Sequence, residues 1–363
     1  MAAHSFISRL LCSILNSFLA VEENKNRDIG DLKKIIIIRQ HNQLDEFLSG
    51  VSLFRALKET YPDSKITVLV GSFNFPGIVI NNFIDRVFIF NKKKLYRPGY
   101  LIRLWRLLRE DYDLAIVPFI VSISLISNLL ARFSKAKVRI GTESVDGKIN
   151  QSAEFFDRRV KLNWNKHPDS NVSERSLDIV RPFGINTNNY KPELSISQGD
   201  ERNVEKFMAE NNFGIDRKLI GLHVGGKNPS NCWSLAKYIA LINRLNNEFQ
   251  VNFYLVGSKS DKKEIHYLTN NLNIKLGIFI NKLIPEIAAL ISKSSLFISN
   301  DTGIMHVAGT TETPQISIFG PTNPFNWAPL GPNKYFIRKS ELIEDVAVED
   351  VYQLCKMNLQ KTE

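Results

Sequence analysis

Apolar runs of strand length alternate with amphipathic stretches of helix length along almost the whole chain, and no other feature constrains the fold as strongly. Lys34 to Arg39, Lys65 to Val70, Arg86 to Phe90, Leu114 to Val117 and Val138 to Ile140 read as strands. Phe47 to Thr60, Tyr100 to Arg109 and Val121 to Phe133 read as helices between them. A looser stretch from Thr142 to Gln198 follows, carrying Pro168, Pro182 and Pro192. The pattern then resumes with strands at Leu219 to Val224, Val251 to Val256, Leu296 to Ser299 and Gln315 to Phe319. Leu235 to Phe249, Asp261 to Asn270 and Ile284 to Ser292 are the helices of this second set. Strands dense in Ile, Val and Leu, separated by helices, belong to parallel sheets covered on both faces. The expected class is therefore α/β, with two Rossmann-like domains whose parallel sheets face a central cleft. The division is an amphipathic segment over 1–30, domains over 31–190 and 191–340, and a C-terminal helix and tail over 341–363. For that last helix the N-terminal domain is one surface on which it could pack.

A chain of 363 residues is long enough for two such cores. Its net charge of +10 points to an anionic partner or surface. The cations are spread along the chain and no zinc finger or other nucleic-acid signature accompanies them, so a phosphorylated substrate or an acidic membrane accounts for the charge. Cys12, Cys232 and Cys355 lack metal-ligand spacing, which excludes a disulfide framework and a zinc site and fits a reducing compartment.

The first twenty residues place Phe6, Ile7, Leu10, Leu11, Ile14, Leu15, Phe18 and Leu19 on one helical face. The segment is too short and polar to span a bilayer and lacks a signal-peptidase site. It reads either as a helix lying in a membrane interface or as one docked on the protein itself.

In doubly wound sheets ligands sit beyond the carboxyl ends of strands, so the loops there are the candidate site. The first, Arg39 to Glu46, puts Asp45 at a helix start, as a cap or as a general base for an attacking hydroxyl. Glu46 is its rival, one position further into the helix. The second, His223 to Trp233, carries Gly225 and Gly226, which open backbone amides, and Lys227, a cation for phosphate oxygens. The third, Gly257 to Glu264, offers carboxylates that could take ribose hydroxyls, although Asp261 also reads as a cap and Glu264 as a solvated helix residue. The fourth is Asp301-Thr302-Gly303 with His306 one helical turn along. It is an anion site at a helix start or a simple cap. Phe319 to Trp327 closes the last strand in a proline-braced loop.

Arg39 to Pro62, Asp301-Thr302-Gly303-x-x-His306 and Phe319-Gly320-Pro321-Thr322 together resemble glycosyltransferase family 9, the lipopolysaccharide heptosyltransferases, from about Lys33 to the C-terminal region. The resemblance implies a GT-B fold, with 31–190 as acceptor domain and 191–340 as donor domain. It implies inverting transfer of a sugar, heptose first, from a nucleotide-diphosphate donor, ADP-heptose first, to a lipopolysaccharide core or lipid A acceptor. No metal and no cofactor are implied. The family's base falls on Asp45 and its donor-phosphate residues on Asp301, Thr302, Gly303 and His306. Gly225, Gly226, Lys227 and Asn231 would line the donor loop, and the family's ribose carboxylate falls near Glu264. The implied location is cytoplasmic, peripheral on the inner face of a bacterial inner membrane, with no nucleic-acid partner. Two positions depart from the family pattern: Leu44 stands where such proteins usually have glycine, and Asn231 where they often have lysine. Those departures keep open a nucleotide-sugar-binding protein without turnover, and the fold itself keeps open an epimerase-like enzyme. A nucleic-acid binder rests on charge alone.

Overall fold

The computed structural model describes residues 12–40, 44–71, 81–118, 122–214 and 216–360, and these fall into two compact units that meet in sequence at Tyr190 and Lys191. In the first unit β1 (Lys34–Arg39), β2 (Lys65–Gly71), β3 (Arg86–Phe90), β4 (Leu114–Ile116), β5 (Val138–Val145), β6 (Lys148–Ile149) and β7 (Arg158–Leu162) build one sheet. Its order is β3-β2-β1-β4-β5, continued by antiparallel β6 and by parallel β7 beside β5. Ile35 of β1 lies between Ile66 and Leu114, and Ile35 to Ile38 are fully buried, as a strand covered on both faces requires. The loose stretch of the sequence thus holds the end of β5 and two further strands.

Among the described residues of this unit the α-helices are α1 (residues 12–19), α2 (Leu44–Ser49), α3 (Val51–Thr60), α4 (Pro98–Leu108), α5 (Leu125–Phe133) and α6 (Val172–Arg175). The helix expected over Phe47 to Thr60 is in fact two, α2 and α3, parted at Gly50. The Arg39 guanidinium runs so close to Gly50 that a Cβ there would collide with it, and its Nη2 donates to the Glu46 carbonyl. The described part of the N-terminal segment is docked. Asn16 Nδ2 donates to the Gln151 carbonyl at 3.0 Å, Arg132 Nε to the Leu19 carbonyl at 2.5 Å, and Cys12 is buried. Ile14 and Phe18 still face solvent, so the docking uses only part of the apolar face. Phe6, Ile7, Leu10 and Leu11 lie outside the described residues.

In the second unit β8 (Lys218–His223), β9 (Val251–Gly257), β10 (Leu276–Ile280), β11 (Leu296–Asn300), β12 (Gln315–Ile318) and β13 (Lys334–Ile337) are all parallel, in the order β10-β9-β8-β11-β12-β13. Counted from its own first strand this is 3-2-1-4-5-6, the order of dinucleotide-binding sheets, with its switch point between β8 and β11. The helices are α7 (Gln198–Glu210), α8 (Leu235–Glu248), α9 (Lys262–Asn271), α10 (Ile284–Ser292), α11 (Gly303–Gly309), α12 (Pro324–Trp327) and α13 (Val348–Gln360). The C-terminal helix packs into the core of this unit. Val351, Tyr352, Cys355 and Leu359 are buried in the same core as Leu241 and Ile298, and Arg244 of α8 stacks over the Tyr352 ring. An apolar face of this kind is spent where it is buried.

Candidate active site

In the first unit the loop after β1 leads into α2, where Asp45 is half-buried in the first turn and Glu46 is buried. Leu44, at the position usually held by glycine in the family resembled, starts the helix and is itself buried. Arg39 lies behind the pair. Burial pulls its pKa down to about 10, while Glu46 and Asp45 oppose that shift. Burial likewise raises the Glu46 carboxyl, with Arg39 pulling it down and Asp45 pushing it up. Glu46 is thus enclosed with the guanidinium, and Asp45 is the more accessible carboxylate. Gln40 Nε2 donates to Ser124 Oγ at 2.5 Å, joining the loop after β1 to the start of α5 across the β1/β4 switch point. His41, Asn42 and Gln43 lie outside the described residues.

The second unit gathers the loops after β8, β9 and β11. Asn300, fully buried at the end of β11, ties the loop after β8 and the start of α8 to that strand. Its Oδ1 accepts from Trp233 N at 3.1 Å and Tyr238 Oη at 3.0 Å. Its Nδ2 donates to the carbonyls of Val224 at 3.0 Å and Gly225 at 3.3 Å. Beside it in β8, buried His223 Nδ1 meets the Val256 carbonyl at 3.0 Å. Burial lowers the pKa of this imidazole, although that carbonyl and Asp261 pull upward.

Gly225 and Gly226 are glycine for lack of room. A Cβ on residue 225 would strike Asp261 Oδ1, and one on residue 226 would come within 2.7 Å of Cys232 Sγ and 3.4 Å of Thr302 Cγ2. Gly226 and Lys227 are exposed just beyond that point. Asp261 holds the N-cap position of α9 but its side chain does not cap that helix; its Oδ2 accepts instead from Ser258 N at 2.6 Å and Ser258 Oγ at 2.9 Å, closing the turn before it. Glu264 is not a solvated helix residue. It is half-buried, and its Oε2 is out of solvent with no hydrogen-bond partner. Together with Asp261 it helps to raise the pKa of Cys232, after burial itself, so the carboxylates flank the glycine loop.

At the end of β11, Asn231 Nδ2 donates to Asp301 Oδ2 at 3.0 Å and reaches Thr322 Oγ1 at 3.5 Å. This brings the Phe319 to Trp327 loop into the cluster. Thr302 sits at the N-cap position of α11 with extended backbone, yet its side chain caps nothing, and its buried Oγ1 lacks a partner. The simple-cap reading therefore fails for Thr302. Gly303 begins α11, and His306, one turn on, is buried edge-on against Trp327 with ring centroids 6.2 Å apart. Buried polar atoms are nearly always paired, so the unpartnered Glu264 Oε2 and Thr302 Oγ1 in one loop cluster mark a place where polar ligand groups could bind. No local motif signals the role of Asn300, because its partners lie far away in the chain.

Comparison with known proteins agrees with this geometry. Residues 101–354 match the profile of glycosyltransferase family 9 (heptosyltransferase). Lipopolysaccharide heptosyltransferase 3 of Escherichia coli is 24% identical over 295 residues, covering 79% of this chain and 84% of that protein. Among solved structures, a family 9 glycosyl transferase from Veillonella parvula superposes with a TM-score of 0.79 at 16% identity, covering 94% of this chain and 99% of that one. The E. coli ADP-heptose lipopolysaccharide heptosyltransferase II does so with a TM-score of 0.73 at 19% identity, covering 90% and 99%. The shared fold is GT-B. The chain belongs to glycosyltransferase family 9, and it is a glycosyltransferase.

Proposed function

We propose that this enzyme transfers a heptosyl group from ADP-heptose to a lipopolysaccharide core acceptor with inversion at the anomeric carbon. The donor reading is supported above all by the loop cluster of the second unit, where Glu264 Oε2 and Thr302 Oγ1 are buried without partners around a glycine-opened loop. Glu264 takes ribose hydroxyls of the nucleotide, as carboxylates do in dinucleotide sheets of this strand order. The diphosphate lies against the amides of Gly225, Gly226 and Gly303, with Thr302 Oγ1 as a further donor and Lys227 as the counter-charge. Asn231 and Asp301 hold the loops at their spacing, and His306 buttresses α11 from within. Fixed donors of this kind stabilise the negative charge that grows on the departing diphosphate without reorganising solvent. In the first unit Asp45 accepts the proton of the attacking acceptor hydroxyl, with Arg39 and Glu46 fixing the helix that carries it.

The relatives' names supply the sugar and the acceptor class: lipopolysaccharide heptosyltransferases, one of them an ADP-heptose enzyme. Such an acceptor is lipid-anchored and phosphorylated, so the enzyme works as a peripheral protein on the inner-membrane surface facing the cytoplasm. A net charge of +10 suits that surface. Among the described residues, no helix is long and apolar enough to cross a membrane. Incubating the purified chain with ADP-heptose and a truncated core acceptor tests the reading: the acceptor should gain one heptosyl unit as ADP is released. Release of free sugar or of an altered donor without any acceptor would replace it with the epimerase-like alternative.

A further inference from the structure

We infer that the outward face of α4 and the loop before it form a docking surface for an anionic phospholipid bilayer. The inference deepens the membrane placement proposed above by assigning it a surface. Residues 92–109 contain seven Lys and Arg and no Asp or Glu, so this stretch carries +7 in a chain of net charge +10. None of the seven is in an ion pair among the described residues, and all are exposed.

The helix is firmly seated, so its outer face is fixed. Tyr100, Leu104, Leu107 and Leu108 are buried against the sheet. Tyr100 Oη accepts from Asn91 N at 2.8 Å and donates to the Ile89 carbonyl at 3.2 Å, pinning the start of α4 to the end of β3. On the opposite side Leu101, Ile102 and Trp105 are 44%, 51% and 54% exposed. At 3.6 residues per turn these three share an arc of about 100°. Arg109 lies within that arc, its guanidinium 5.5 Å from the Trp105 ring, and Arg106 and Arg103 continue along its far edge. Lys92, Lys93 and Lys94 precede the helix, next to Tyr96, which is 74% exposed.

Aliphatic and indole side chains set among unpaired cations match the headgroup boundary of an acidic bilayer, where both groups are satisfied at once. A nucleic-acid backbone would reward the cations alone. The described part of the N-terminal helix, residues 12–19, has no charged residue and is held by hydrogen bonds to its own unit, so it lacks the electrostatic half of such a surface.

The test is flotation of the full-length chain with vesicles of phosphatidylcholine containing phosphatidylglycerol, against phosphatidylcholine alone. Binding is read without turnover, so it stands or falls apart from the transfer reaction. The wild type should partition into the anionic vesicles at least about tenfold better, and raised salt should weaken that preference. Arg103→Glu/Arg106→Glu should lower the partition at least about tenfold, and Trp105→Ala several-fold, with melting temperatures close to wild type because all three side chains are exposed. Equal binding to neutral vesicles, or variants that float like the wild type, would overturn the inference. So would a wild type that ignores vesicles and binds duplex DNA through the same arginines.

Discussion

The side-chain amide of Asn231 donates to the carboxylate of Asp301 at 3.0 Å, linking the loop after β8 to the turn after β11 across the switch point of the second sheet. A hydrogen bond to a carboxylate contributes about 1.5–3 kcal/mol net, and here it also fixes the spacing of the two loops. Asn231→Ala is therefore expected to weaken ADP binding about tenfold by calorimetry while leaving the melting temperature of the unliganded protein within a few degrees.

Glu264 separates binding from stability. Its Oε2 is buried without a partner, a cost borne in the empty protein and recovered when hydroxyls of a ligand arrive. Glu264→Gln should lower nucleotide affinity roughly tenfold and leave the melting temperature of the free protein unchanged or raised. A residue of purely structural value would lose both together.

Gly303 begins α11 directly after Thr302, whose Oγ1 is also unpartnered. Gly303→Val places a branched side chain where backbone must approach the diphosphate. Affinity for ADP should fall by more than about tenfold, whereas adenosine, which has no phosphate, should be affected far less.

His223 predicts a pH response. Its imidazole is buried with a lowered pKa, so the unfolded chain takes up a proton near pH 6.5 that the folded chain refuses. The unfolded state binds more protons there, and stability falls as pH drops below that value. Melting curves should show the wild type losing more between about pH 7 and about pH 5 than His223→Asn, which has nothing to protonate at that position.

Much of this architecture was legible in the sequence because parallel strands buried on both faces announce themselves as unbroken runs. Ile35 to Ile38 and Leu296 to Ile298 are instances. The missed strands lacked that signature. β7, Arg158 to Leu162, is basic at three of its five positions, and β13, Lys334 to Ile337, is an edge strand no residue of which is fully buried. β10, Leu276 to Ile280, carries Gly277 inside its short apolar run, where Phe213 and Phe207 leave no room for a Cβ. The strand-end loops were also readable, since Gly-Gly and Asp-Thr-Gly carry their own local chemistry. The Asn300 hub was not, because its partners Val224, Gly225, Trp233 and Tyr238 stand sixty or more residues away and meet it only after the sheet has formed. The break at Gly50 was hidden for the same reason, as it comes from Arg39 in the preceding strand.

Transfer of heptose from ADP-heptose to a lipopolysaccharide core acceptor by wild type and Asp45→Asn, followed by ADP release and acceptor mass, tests the central claim most directly. The wild type should heptosylate the acceptor, and the variant should bind ADP normally yet turn over at least about 100-fold more slowly, the scale of a lost general base. Near-normal turnover by Asp45→Asn would contradict the assigned base, and a wild type that binds ADP but never modifies an acceptor would contradict the transfer itself.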